Sequence, residues 1–158
     1  MSALAFAHLP HPAPVADDVR AAAIADPAFG RVFTDHMVSI RYSETKGWHD
    51  AQVMPRGPLS LDTATAVLHY AQEIFEGLKA YRLDDGSMAL FRAEANAARF
   101  NASARRMAMA ELPEELFLAA VKEIVRVDAN WFPQVAGGAL YLRPFMYASE
   151  VFLGVKPA

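Results

Sequence analysis

Three arginines lie seven residues apart in an alanine-rich segment, at Arg92, Arg99 and Arg106. Seven residues is close to two turns of an α-helix, so the three side chains are expected near one stripe of a helix over residues 93–109. A guanidinium offers paired, planar N–H donors that match a phosphate or a carboxylate. The stripe is therefore either a solvated charged face, as for most arginines, or a guanidinium aimed at an anion.

Tyr141 and Arg143 form a second pair of interest, because they lie two residues apart in a segment, 139–147, whose composition predicts a strand. Side chains two apart in a strand point to the same face. An arginine on a buried face needs an anionic partner or an open cavity, whereas on a wet face it needs neither, and both alternatives stay open. Lys79, near a glycine turn, has the amine of a Schiff-base nucleophile, although in the middle of a hairpin it needs only to point to water.

Other kinds of chemistry find little support in the sequence. There is no cysteine, which excludes disulfides, thiolate metal sites and cysteine nucleophiles. His36, His49 and His69 have no metal-ligand spacing, so no metal site is expected. Neither a dinucleotide-binding glycine motif nor a P-loop occurs. The net charge of −3 argues against binding to nucleic acid.

Length and composition predict one folded domain, since the chain has 158 residues and is 54% hydrophobic. No apolar run approaches the roughly 18 residues of a membrane span. The N-terminus lacks the basic region of a signal peptide. A soluble cytoplasmic protein is therefore expected. Residues 1–28 contain Pro10, Pro12 and Pro14 and are predicted to form an Ala/Pro-rich extended arm.

Helices and strands are predicted to follow one another without regular alternation, which is typical of an α+β domain with a largely antiparallel sheet. Strands are predicted at 32–42, 50–54, 78–83, 87–91 and 139–147, the third and fourth forming a hairpin. Helices are predicted at 63–73 with Asp62 as N-cap, at 93–109, and from Pro113 to about Trp131. Phe100, Ala104 and Met107 recur at helical spacing and are expected to face the core.

Five segments, taken in order, resemble the branched-chain amino-acid aminotransferases, which are class IV, fold-type IV pyridoxal-phosphate enzymes. They lie at 29–37, 68–70, 74–81, 90–92 and 140–144. Five ordered motifs with family-like spacing argue against a chance match. The resemblance implies that 29–158 is the small N-terminal domain of a two-domain subunit. In this family the active site lies between the two domains and is completed by a second subunit, so a homodimer or higher homo-oligomer is expected.

The resemblance also implies roles for individual residues. Arg99 matches the arginine that binds the phosphate of pyridoxal 5′-phosphate. The substrate-binding positions that it implies are Phe29, Tyr70, Phe75, Gly77, Tyr141, Arg143, Leu153 and Val155. Phe29 and Phe75 would form an apolar wall for a leucine, isoleucine or valine side chain, while Gly77 would leave room for the substrate.

The polar members of this set would act on the carboxylates of the substrates. Tyr141 would offer its hydroxyl to the α-carboxylate, and Arg143 would orient that region and could pair with the distal carboxylate of glutamate. Tyr70, Leu153 and Val155 match positions that reach into the neighbouring subunit's pocket.

One departure from the family pattern concerns the catalytic lysine. In the family it lies in the large C-terminal domain, and Lys46, Lys79, Lys122 and Lys156 do not sit in its motif. The chain is therefore expected to be an inactive N-terminal fragment without the large domain, with weak or absent cofactor binding of its own. The whole enzyme would move an amino group from leucine, isoleucine or valine to 2-oxoglutarate. Alternatives are a D-amino-acid aminotransferase, an aminodeoxychorismate lyase, or a non-catalytic dimerisation or interaction module.

Overall fold

Three small β-sheets and three helices of nine or more residues are found in the part of the chain that the computed structural model describes, residues 4–135, 137–154 and 156. Most neighbouring strands run antiparallel. The combination confirms the predicted α+β class.

The first sheet is built on a long hairpin of β2 (His36–Ser43) and β3 (Gly47–Pro55). Gly47 closes the turn with a φ of 66°, a conformation that glycine adopts without steric cost. A short strand, β1 (Ala7–His8), runs parallel to β3 on its other side. Both predicted strands are confirmed, with different bounds. β2 begins at His36, four residues after the predicted start at Val32, and β3 is longer at both ends than the predicted 50–54.

The other two sheets share two chain segments. In one of them β5 (Leu78–Arg82) lies between β6 (Met88–Leu90) and β7 (Ala139–Leu142). In the other, β4 (Glu73–Phe75) pairs with β8 (Phe145–Tyr147). The predicted hairpin of β5 and β6 is confirmed by its antiparallel pairing.

The single strand predicted over 139–147 is wrong, because the segment divides into β7 and β8 at Pro144. Proline has no N–H for a ladder hydrogen bond, and the strand changes sheet at that point. The facing segment changes sheet at Glu76 and Gly77, where the Glu76 N–H donates to the Pro144 carbonyl at 2.8 Å. These residues, Glu76 and Gly77 facing Arg143 and Pro144, are termed the corner below.

Two helices cover the sheets and supply most of the core. In α3 (Ala93–Arg106) and α4 (Glu114–Val127) the buried positions recur every three or four residues, and Phe100 packs on Phe117 with ring centroids 5.5 Å apart. The prediction that Met107 faces the core is wrong, since α3 ends at Arg106 and Met107 is 37% exposed. No helix within the described ranges is both long and apolar enough to cross a bilayer.

The N-terminal segment is more structured than an extended arm. It contributes β1 and a helix, α1 (Asp17–Ala25), which begins soon after the last closely spaced proline. Alanine-rich sequence favours the helix, and Asp17 and Asp18 lie at the positive end of its dipole. The Asp35 carboxylate accepts a hydrogen bond from the Val15 N–H at 3.0 Å, which fastens the segment to the domain.

The helix predicted over 63–73 is much shorter, with α2 spanning Ala66–Tyr70. Asp62 accepts a hydrogen bond from the Ala64 N–H at 2.7 Å, so it organises the turn before the helix instead of capping it. Ala71 ends α2 in the left-handed region at φ 50°, and the chain then enters β4.

Candidate functional site

Arg99 and several of the predicted substrate-binding residues lie at or beside the corner, because two pairs of strands bend there together. Phe75 pairs with Phe145 on one side of it, and Leu78 pairs with Leu142 on the other. The bend brings the end of β4 and the end of β7 beside the middle of α3. Side chains from three separate stretches of sequence thereby share one surface.

Arg99, in the middle of α3, reaches the corner and forms a two-pronged ion pair with Glu76. Its Nε donates to one carboxylate oxygen at 2.9 Å and its Nη2 donates to the other at 2.8 Å. The Glu76 side chain is 9% exposed, whereas that of Arg99 is 62% exposed. In this ion pair the Glu76 carboxylate is buried, whereas much of the Arg99 side chain is exposed to solvent.

Asn96, one turn before Arg99 on α3, supports the same carboxylate. Its Nδ2 donates to Glu76 at 2.8 Å and to the Gly77 carbonyl at 3.1 Å. The Gly77 N–H also donates to Glu76, at 3.2 Å. The buried carboxylate is thus held by donors from the helix and from the backbone of the corner.

This set of donors fixes the protonation state of the pair. Burial alone would raise the pKa of the Glu76 carboxyl, but the hydrogen bonds from Arg99, Asn96 and Gly77 outweigh it and hold that pKa below its ordinary value of 4.5. The hydrogen bond and charge of Glu76 raise the pKa of Arg99. At neutral pH the pair is a carboxylate and a guanidinium with no net charge.

A second group of side chains, the aromatic cluster, consists of Phe29, Phe75, Tyr141 and Arg143. The Arg143 Nε and Nη2 donate to the Tyr141 hydroxyl at 3.1 and 2.8 Å, and the guanidinium carbon lies 4.4 Å from the centre of the Phe75 ring. Phe29 contacts Tyr141 edge-on with ring centroids 5.1 Å apart. The cluster is an open apolar surface with one cation set into it, since Phe29 and Phe75 are 75% and 63% exposed.

Gly77 lies under this cluster, and its lack of a side chain has a definite consequence. A Cβ at Gly77 would lie 2.3 Å from the Tyr141 hydroxyl oxygen, far inside contact distance. The space beside Gly77 is therefore filled by the Tyr141 side chain of the same chain. The sequence analysis had expected this space to accommodate the substrate.

Tyr70 and Leu153 belong to a different group near the end of the described chain. The Tyr70 hydroxyl accepts a hydrogen bond from the Gly154 N–H at 2.8 Å, and its ring lies 6.1 Å from that of Phe152. Leu153 is 67% exposed. Val155, predicted as a third member of this group, lies outside the described residues.

The remaining candidates from the sequence take peripheral places. Arg92 precedes α3 with a φ of 51°, and Arg106 is the last residue of that helix, so the predicted stripe of three contributes Arg99 to the corner. Lys79 is an exposed residue of β5, opposite Tyr141 in the strand register.

Sequence reasoning missed Glu76 and Asn96. A weak signal existed, because Glu76 is the one charged residue in the short run 74–78 and Asn96 is one helical turn from Arg99. That the two meet depends on how α3 packs on the corner, which local patterns do not specify.

Comparison with curated proteins gives matches along most of the chain. The chain is 60% identical over 146 residues to the probable branched-chain-amino-acid aminotransferase of Streptomyces coelicolor, covering 92% of this chain and 40% of that protein. It is 56% identical over the same length to the branched-chain-amino-acid aminotransferase of Mycolicibacterium smegmatis, with the same coverage. The chain thus spans about two fifths of the length of these relatives. No family model matches it.

Solved structures share the fold. A branched-chain amino acid aminotransferase from T.th., complexed with N-(5′-phosphopyridoxyl)-L-glutamate, superposes with a TM-score of 0.56 at 28% identity, over 66% of this chain and 33% of that one. The branched-chain aminotransferase of Thermoproteus uzoniensis with norvaline gives a TM-score of 0.57 at 24% identity, over 76% of this chain and 36% of that one.

Proposed function

We propose that this chain, a homologue of the branched-chain aminotransferases over most of its length, forms the small N-terminal domain of such an enzyme over residues 29–158. The whole protein would transfer an amino group from leucine, isoleucine or valine to 2-oxoglutarate with pyridoxal 5′-phosphate. The observation that carries the proposal is the convergence at one corner of the Arg99–Glu76 pair and the aromatic cluster. Because the chain spans 40% of the Streptomyces relative, the activity is proposed for the whole protein.

Arg99 is proposed to hold the cofactor phosphate. Its Nε and Nη2 edge is occupied by Glu76, but the Nη1 group lies on the opposite edge of the planar guanidinium. The 62% exposure of the side chain gives an anion access to it. When bound, the pyridine ring of the cofactor would serve as the electron sink of transamination.

The aromatic cluster is proposed to bind the substrate. Phe29 and Phe75 offer exposed apolar area for an aliphatic side chain. The Tyr141 oxygen accepts both hydrogen bonds from Arg143, so its own proton can be donated to an α-carboxylate. No carboxylate of the described residues forms an ion pair with Arg143, which suits a cation that orients or pairs with the acid group of a substrate.

Tyr70, Leu153 and Val155 are proposed to reach the active site of a neighbouring subunit in a homodimer or higher homo-oligomer. The hydrogen bond from Gly154 to Tyr70 ties the end of the described chain to α2. The exposed Leu153 side chain is then available to a second subunit.

A chimaera tests the proposed activity. This chain would replace the 146 matched residues of the Mycolicibacterium smegmatis enzyme, to which it is 56% identical. The purified chimaera is expected to transaminate leucine, isoleucine and valine with 2-oxoglutarate, while this chain alone is expected to transfer no amino group. Amino-acid preference would be measured with each L- and D-amino acid in turn.

Two results would count against the proposal. One is a folded, cofactor-loaded chimaera that transfers no amino group from any branched-chain amino acid, as a non-catalytic module would imply. The other is a preference for D-amino acids or lyase activity on aminodeoxychorismate, either of which would indicate a different class IV enzyme.

A further inference from the structure

Glu76 accepts more hydrogen bonds than any other side chain at the corner. Neither the family resemblance nor the proposed function assigns it a role. Its two oxygens receive four N–H groups, two from Arg99 and one each from Asn96 and Gly77. The side chain is 9% exposed. A buried carboxylate with this many hydrogen-bond donors is held in one position and orientation.

Arg99 is fixed by that carboxylate in a particular orientation. Two parallel N–H···O bonds to one carboxylate define both the direction and the plane of the guanidinium. An exposed arginine otherwise samples many rotamers, and ordering it on binding a ligand would reduce affinity. The two hydrogen bonds to Glu76 restrict the rotamers of Arg99 before any ligand binds.

Asn96 and Arg99 are three residues apart on one face of α3, and they hold Glu76 from the same side. Glu76 in turn follows β4 directly, and the Gly77 carbonyl accepts the second hydrogen bond from Asn96. The orientation of Arg99 is therefore coupled to the bend of the strands that also places Tyr141.

We propose that Glu76 is a positioning residue, which holds the Arg99 guanidinium with its Nη1 edge presented to a phosphate monoester. This rests on the proposed role of Arg99 at the cofactor phosphate. Because the pair has no net charge, the monoester is recognised by oriented donors and not by an excess of positive charge.

Recognition by orientation and recognition by charge predict opposite changes in the affinity of Glu76→Gln for the phosphate monoester. Removing the carboxylate leaves Arg99 as a net cation, and if charge dominated, the monoester would bind more tightly. If orientation dominates, the loss of the two-pronged acceptor frees the guanidinium, and affinity falls about five- to tenfold.

The probe is pyridoxine 5′-phosphate, which carries the monoester but no aldehyde and so forms no Schiff base with lysine. Binding to the 158-residue chain would be followed by NMR of the arginine side-chain N–H groups, with Arg99→Lys used to assign the Arg99 signals. Pyridoxine without phosphate is the ligand control. Glu111→Gln is the matched protein control, because Glu111 forms an exposed ion pair with Arg105 of α3.

In the unaltered chain we expect weak, saturable binding that shifts the Nη1 signals of Arg99 and leaves its Nε signal in place. We expect weaker binding by folded Glu76→Gln and unchanged binding by Glu111→Gln. Equal or tighter binding by folded Glu76→Gln would overturn the inference, and so would an unaltered chain that shows no saturable binding of the probe.

The unaltered chain gives a second test that does not depend on any variant folding. If the probe displaces the Nε signal of Arg99, the hydrogen bonds to Glu76 break on binding and the positioning role is refuted. Failure of the proposed function looks different, since the Arg99→Lys chain would then bind the probe as well as the unaltered chain does.

Discussion

Replacing Gly77 with alanine would place a methyl group where the Tyr141 hydroxyl now lies. The added Cβ would be 2.3 Å from the hydroxyl oxygen and 3.1 Å from the ring carbon that carries it. Tyr141 would have to swing away, and with it would go the two hydrogen bonds from Arg143.

The expected cost follows from the partial exposure of the site. Overpacking a well-filled position costs about 1–3 kcal/mol. Tyr141 is 38% exposed and can relieve the clash by moving outward. Because alanine also restricts the unfolded chain, by about 0.4–1 kcal/mol in favour of folding, the net loss is expected to be about 1–2 kcal/mol.

Urea unfolding followed by the fluorescence of Trp48 and Trp131 would measure this loss. The midpoint is expected to fall by about 0.5–1 M. Gly57→Ala is the matched control, since a Cβ at Gly57 meets nothing within 4 Å. In a Tyr141→Ala background the Gly77→Ala change should cost little, because the clashing hydroxyl is gone. A Gly77→Ala cost that is the same in both backgrounds, or absent in both, would refute this reasoning.

Two further predictions concern buried polar groups. Asn101→Ala should lower the free energy of unfolding by about 2–4 kcal/mol, because Asn101 pairs with both the N–H and the carbonyl of the buried Leu112; an unchanged urea midpoint would contradict this. Glu76 should contribute to acid unfolding: its pKa is lower in the folded chain than in the unfolded one, so its stabilisation is complete above the unfolded-state pKa and is lost as pH falls through the folded-state pKa. Glu76→Gln should therefore flatten the fall in stability below about pH 5, and a pH profile parallel to that of the unaltered chain would argue against it.

The parts of the fold that the sequence predicts are those dictated by local patterns. The β2 and β3 hairpin follows from the β-branched and aromatic residues of β2 and from a turn that Gly47 closes. The buried face of α3 follows from residues at helical spacing, up to the point where the helix ends at Arg106. In each case neighbouring residues supply the physical cause.

The parts that were missed depend on packing between distant segments. Pro144 marks a break in the last strand, but that its two halves join different sheets is decided by the facing bend at Gly77. The helix over Asp17–Ala25 forms just after the closely spaced prolines that suggested an extended chain.

The candidate site divides in the same way. Arg99, Tyr141 and Arg143 stand out as residue types that bind anions. The proposed role of Glu76 follows only from the packing of α3 against the corner, because its partner Arg99 is 23 residues away in sequence.

Cofactor retention in the Mycolicibacterium chimaera would show whether Arg99 holds the phosphate of pyridoxal 5′-phosphate, as proposed. Dissociation constants for pyridoxal 5′-phosphate would be measured for the chimaera, for its Arg99→Ala variant and for an Arg105→Ala control on the same helix. Arg99→Ala is expected to weaken cofactor binding about 10- to 100-fold, which corresponds to the loss of a charge-assisted hydrogen bond, while Arg105→Ala is expected to leave it unchanged. Equal cofactor affinity in all three folded proteins would contradict the proposal.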